Sequence, residues 1–115
     1  MSVDAEIFAA LSSLAGGRIF PDIAPEGTPL PYVTFQQVGG DAVNYLDGSA
    51  PGKRNARIQV NVWAETRSSA SQLSDQVEDA MRAAHGLQTE VLGARASLYE
   101  SAKLRGARQD FSVWY

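Results

Sequence analysis

Cysteine is absent from the 115 residues. Disulfides, thiolate metal sites and cysteine nucleophiles are excluded with it, and the absence fits a reducing compartment. Histidine occurs once, at His85, so neither the commoner metal sites nor a serine triad has the partners it requires. Long apolar runs are missing too: the longest near the N-terminus, Ile7 to Leu11, falls far short of the roughly 20 residues that cross a bilayer. Asp4 and Glu6 lie where a secretory signal carries basic residues, so no visible signal segment is expected. Nor is there a basic excess. Ten Lys and Arg stand against 13 Asp and Glu, spread along the chain, and no block of cations is available to neutralise a phosphate backbone. Neither membrane nor sequence-specific nucleic acid is an expected partner.

What remains is an ordinary globular composition. Apolar residues make up 44% and charged residues 20%, which places the chain outside the disordered and fibrous classes. Its length suits one domain, residues 1–115, able to bury roughly two-thirds of the surface that the unfolded chain exposes.

Val3, Ile7, Leu11 and Leu14 recur at helical spacing, acids sit at the N-terminal end, and Gly16-Gly17 supplies a stop, which predicts a first helix. Between Arg18 and Pro31 four prolines (21, 25, 29 and 31) remove backbone donors, leaving only Arg18 to Phe20 free to pair in a sheet. Tyr32 to Val38 and Arg57 to Ala64 read as neighbouring antiparallel strands, the second with Ile58, Val60 and Val62 on one face and Arg57, Gln59, Asn61 and Trp63 on the other. The glycine-rich stretch from Gly39 to Asn55 is too long for a tight hairpin and is expected to form a β-arm or a mobile loop. Thr66 or Ser68 caps a second helix with Ala70, Leu73, Val77, Ala80, Met81 and Ala84 as its apolar stripe, His85 in its last turn and Gly86 after it. A strand near Glu90 to Tyr99 and a last one from Arg108 to Tyr115 follow. The expected fold is α+β: two helices on one face of a mostly antiparallel sheet of four to five strands, in the order α-β-β-α-β-β.

Reactive chemistry has little support. His85 is read as a partner of the helix's negative end. Asp41 and Asp47 would serve as a hydrolytic acid pair only if burial separated their pKa values, and Asp47-Gly48 reads more simply as a turn. Gly48 to Arg54 has the wrong glycine spacing for a phosphate-binding loop, lacks Ser or Thr after Lys53, and runs into a strand. Lys53, Arg54, Arg57, Arg95, Lys103, Arg105 and Arg108 are expected to form a solvated rim. The tryptophans carry more information. Trp63 and Trp114 fall on the polar side of their strands, where large aromatics are typical interface anchors; the bland alternative lays each over a neighbouring arginine stem of its own sheet.

Several stretches resemble a known family when taken together: Arg18-Ile19-Phe20-Pro21, Ala24 to Val33, Leu46-Asp47-Gly48, Gln59 to Ala64, and Asp110 to Tyr115. In order and with suitable gaps, they resemble the tail completion proteins of tailed phages and prophages. That resemblance implies a structural virion-assembly protein of the tail or neck, assembled in the bacterial host cytoplasm. It further implies a homo-oligomeric ring, often a hexamer, that caps the tail tube and meets the head connector. It implies no catalytic residues and no cofactor. A closed ring needs two different patches on each copy. Candidate interface residues are Trp63 and Trp114, with the prolines Pro25, Pro29 and Pro31 whose fixed backbone docks at low entropic cost, and Tyr45 and Asp47 of the long loop. That loop is expected to point into the ring's opening or toward the tube. The rival expectation is a small dimeric α+β ligand-binding module, which would need a concave pocket.

Overall fold

The computed structural model describes residues 2–101 and 103–115. Helix α1 spans Val3–Leu11, with the Ser2 hydroxyl accepting from the Ala5 amide at 3.2 Å, and buries Val3, Ile7 and Leu11. It is shorter than the apolar spacing suggests, because the chain leaves the helix before Leu14 and turns through a single 3-10 turn, Ala15–Gly17. Gly16 and Gly17 there take φ of 61° and 82°, conformations that cost glycine little and other residues much. Helix α2 spans Arg67–Ala83, and of the two candidate caps it is Thr66 that accepts from the Ser69 amide, at 3.1 Å. Its buried stripe is Ala70, Leu73, Ser74, Val77 and Met81, with Ala80 and Ala84 packed at the margin.

Among the described residues the sheet has six strands, not four or five: β1 Ile19–Pro21, β2 Tyr32–Gln37, β3 Asn55–Ala64, β4 Glu90–Val91, β5 Ala96–Ser101 and β6 Leu104–Trp114. The element order is therefore α-β-β-β-α-β-β-β. β1 runs parallel to β2 and every other pairing is antiparallel, in the spatial order β1-β2-β3-β6, with β4 and β5 both lying along the far side of β6. The single strand expected over 90–99 is thus two. Leu92 to Arg95 interrupts it, the Leu92 amide donating to Asp110 O at 3.1 Å before the chain moves to pair with the other half of β6. The last strand begins four residues earlier than its alternation suggests, since Leu104 to Ala107 lack the alternating polarity that marks the later part.

No strand forms between Gln37 and Asn55, which corrects the expected β-arm. The segment is an irregular, largely exposed loop. Four glycines and a proline (Gly48, Pro51, Gly52 and the Gly39-Gly40 pair at its root) deny it a continuous ladder. His85 lies beyond α2 in a second 3-10 turn, His85–Leu87, and is exposed, so it does not occupy the helix's last turn. Alanines 83 and 84 give the helix end no glycine, and the left-handed residue after it is Gln88 at φ 45°.

The core lies between the helices and one sheet face, where Val33, Phe35, Ile58, Val60, Val62, Phe111 and Val113 are all 2% exposed or less. On α2, Glu78 reaches over the sheet margin. Gln109 Nε2 donates to Glu78 Oε1 and to Gly93 O, both at 2.8 Å, tying helix, β6 and the β4–β5 connection together.

Candidate functional site

Among the described residues, no helix covers the sheet's second face. Cross-strand partners share a face in an antiparallel ladder, and the register places Tyr32 opposite Trp63, Thr34 opposite Asn61 and Gln36 opposite Gln59. It continues with Trp63 opposite Gly106, Asn61 opposite Arg108, Gln59 opposite Asp110, Arg57 opposite Ser112 and Asn55 opposite Trp114. Both tryptophans therefore stand on the open face, as the strand alternation predicts. They stand at opposite ends of it. Trp114 pairs at the first residue of β3 and Trp63 lies near its last, about 26 Å away at ~3.3 Å per residue.

Trp63 is accounted for by its own sheet to a large degree. A Cβ built at Gly106 would come within 2.7 Å of Trp63 Cε3 and 2.9 Å of Cζ3, so the indole lies across a strand glycine, not over an arginine stem. Glycine here is the condition for the ring's position. The rest of the ring faces a groove of about 510 Å³ whose floor is Tyr32, Thr34, Asn61 and Trp63. One wall is the chain from Asp22 to Thr28, and Glu100 and Leu104 stand opposite. The wall is anchored to the sheet where the Asp22 amide donates to Phe35 O at 2.8 Å, and it folds on itself through Thr28, whose amide donates to Pro25 O at 3.1 Å. Of the three candidate prolines, Pro25 lines this groove and Pro29 and Pro31 do not; Pro31 O instead accepts from Arg18 Nε at 2.8 Å. The structure thus brings Trp63 and Pro25 into one patch. Its charged lining residues, Asp22, Glu26 and Glu100, are all acidic.

The other end of the sheet carries Trp114 and the long loop. Asn55 fastens the loop root: its Nδ2 donates to Ser112 Oγ at 2.8 Å and Val113 O at 3.1 Å, while its Oδ1 accepts from the Asp41 amide at 2.8 Å. Gly40, at φ 147°, passes so close to β3 that a Cβ would meet Asn55 O at 2.5 Å. Beyond that root and the paired backbones of Arg54 and Tyr115, no hydrogen bond among the described residues joins residues 42–53 to the sheet. The tip is a turn in which the Gly48 amide donates to Tyr45 O at 3.0 Å and the Asp47 carboxylate accepts from the Ser49 amide and hydroxyl at 2.9 and 2.7 Å. The Ser49 hydroxyl, then its amide, hold the Asp47 carboxyl below the usual range. Asp47 is therefore a turn former. Tyr45 is half exposed, and Leu46 projects fully into solvent.

The sequence's weaker chemical candidates are dispersed. Asp41 and Asp47 both sit on the exposed loop, one at its root and one at its tip. Gly48 to Arg54 leads into β3 with no helix behind it. Arg57 Nε and Nη2 donate to Asp110 Oδ2 at 2.9 and 2.8 Å, Arg95 pairs with Asp75 of α2, and Arg105 lies 5.6 Å from the Tyr99 ring centroid while donating to Ser101 O at 2.9 Å. These cations are split between different faces and partners, as a rim is. Among the described residues no three His, Asp or Glu side chains gather as a metal-holding group.

Sequence reading named Pro25 of the groove wall but not the rest of that wall, and did not count Leu46 among the interface candidates. The signal for Leu46 was a large aliphatic residue immediately before an Asp-Gly turn. For the wall there was only the proline spacing, which says that the backbone is fixed and not where it goes.

A family model described as "Tail completion protein gp17" matches residues 7–115 of the chain. A search of curated proteins returns no match.

Proposed function

The chain belongs to the tail completion protein gp17 family, and from that premise we propose that it closes the end of a phage tail tube as a ring of identical copies and joins the tube to the head connector. Membership supports the broader statement, a structural role in phage tail assembly, and the match over nearly the whole chain is the observation that carries the reading. The finer role rests on surface. One sheet face is left without a covering layer, its two ends bear Trp63 and Trp114, and a long loop extends from one end; these are features of a protein that works through contacts with other chains. It holds no reactive centre and no cofactor in this reading. A ring requires heterologous contacts, in which one patch meets a different patch on the next copy and the rotation closes. The tube and connector proteins would then meet the two rims.

Native mass spectrometry over a range of concentrations tests this. Species larger than a dimer are expected, and Trp63→Ala and Trp114→Ala should shift them toward monomer. A strict symmetric dimer carrying a small molecule would instead support the ligand-binding module.

A further inference from the structure

The ring reading leaves open which parts of neighbouring copies touch, and the two ends of this molecule differ in a way that answers it. Resting on that reading, we propose that the loop tip, Tyr45-Leu46, seats in the groove between residues 22–28 and the open sheet face of the next copy.

The shapes are opposite in kind. One end presents a concavity of about 510 Å³ with apolar surface from Ile23, Pro25, Tyr32, Trp63 and Leu104. The other presents a turn whose leucine has no cover at all and whose tyrosine is half bare. A leucine fully in water at a loop tip forgoes its burial energy unless a partner supplies it. The turn is already closed by the Tyr45–Gly48 and Asp47–Ser49 bonds, so little further ordering is needed when the tip docks.

Charge divides along the loop. The charged residues lining the groove are three acids; the C-terminal leg of the loop carries Lys53 and Arg54, and Asp47 stands beside Leu46, all three exposed. In the proposed contact the leg's cations attract the acidic rim, while the Asp47 carboxylate, tied back to Ser49, opposes it. Repulsion among Asp22, Glu26 and Glu100 meanwhile disfavours two grooves facing each other, which selects against a two-fold dimer through this surface.

Topology supplies the direction. The loop leaves the sheet where β2 ends and β3 begins, and the groove lies where β2 begins and β3 ends. The molecule is 55 Å along its long axis and 24 Å across, whereas β6, its longest strand at 11 residues, covers only about 36 Å. Donor and acceptor thus lie at opposite ends of an elongated subunit, the arrangement that a head-to-tail contact uses. This assigns the tip to a place between subunits in preference to the ring's opening, where Leu46 would stay in water.

The absence of cysteine makes the test direct. Asn44→Cys places a thiol beside the tip while leaving Tyr45 and Leu46 intact, and Glu26→Cys places one on the groove wall; Gln72→Cys, on the exposed side of α2, is the control. Single-cysteine chains are mixed, so that only intermolecular links form, and are joined with a short bismaleimide. Asn44→Cys with Glu26→Cys should give a cross-linked dimer in about tenfold greater yield than Asn44→Cys with Gln72→Cys. Leu46→Asp, with its circular dichroism unchanged, should raise the concentration needed for assembly by about tenfold, the effect of losing one buried anchor. Assemblies larger than a dimer that show no excess of the Asn44–Glu26 product would overturn this contact and leave the ring standing. A chain that stays monomeric and unlinked at all concentrations would overturn both.

Discussion

Trp63 owes its place on the open face to a residue with no side chain. Gly106 sits directly across from it on β6, and any Cβ there would meet both the indole and Val62 O, each at 2.7 Å. Since one contact is with backbone, the indole cannot relieve the clash by moving alone. Gly106→Ala should therefore destabilise the fold by about 1–3 kcal/mol, the usual cost of forcing an extra carbon into a packed position, read as a lower midpoint in chemical denaturation. It should also lower Trp63 fluorescence anisotropy by loosening the ring. A second residue-scale expectation concerns Glu78. The Gln109 amide, with a smaller contribution from Arg82, holds its carboxyl below the ordinary value of 4.5. A carboxyl depressed in the folded state adds stability that is present above the unfolded pKa and is lost as pH falls through the folded one. Stability should accordingly decline as pH drops below about 4.5, and Glu78→Gln should flatten that decline in denaturation curves taken between neutral pH and pH 3. Strand alternation identified the open-face tryptophans, because a period of two is written in the order of residues. It did not identify what each lies against, since the partner of Trp63 is 43 positions away and is recognisable only as a glycine.

At the level of elements, α2 shows how local chemistry fixes a boundary. Thr66 closes the first turn by accepting from the Ser69 amide, and its hydroxyl also donates to Ser69 Oγ at 3.0 Å. Thr66→Ala should cost about 1 kcal/mol, typical of a lost N-cap, measurable as a lower thermal midpoint with helix content otherwise retained. The helix and its buried stripe were legible because apolar spacing and a capping residue agree. Its end was less so: Gly86 looked like the stop, but the helix finishes at Ala83 and the chain uses His85–Leu87 for another turn. The strand layout beyond it was only partly legible. β4 and β5 take different halves of the same partner strand, and that division depends on how far the connection at Leu92 to Arg95 can reach, which periodicity does not record. The β-arm expectation failed for a related reason. Seventeen residues rich in glycine and proline fix that the chain departs and returns, and say nothing of whether the two legs pair.

For the molecule as a whole, elongation is the informative property. A radius of gyration of 15.0 Å exceeds the ~13 Å expected of a compact chain of this length, and the excess belongs to projections from one shared core. Fold class and family were visible in the sequence because both rest on ordered stretches along the whole chain. The candidate surface was visible in halves: Trp63 and Pro25 were each singled out, yet only folding β1 beside β2 brings the proline segment over the tryptophan. Trp114 remained separate, at the end where the loop begins.

The way the loop is fastened has a practical outcome. Its ends are locked to the sheet through Asn55, and β2 and β3 are bound along their lengths by their own ladder. A peptide bond cut between Tyr45 and Gly52 therefore severs no element of the fold. Limited proteolysis should nick the protein there first, giving two pieces that separate in denaturant but travel together on a sizing column. Because the cut also frees the tip, the nicked protein should keep its helical signal and, on the proposed contact, associate more weakly than the intact chain, as a stable pair of complementary fragments.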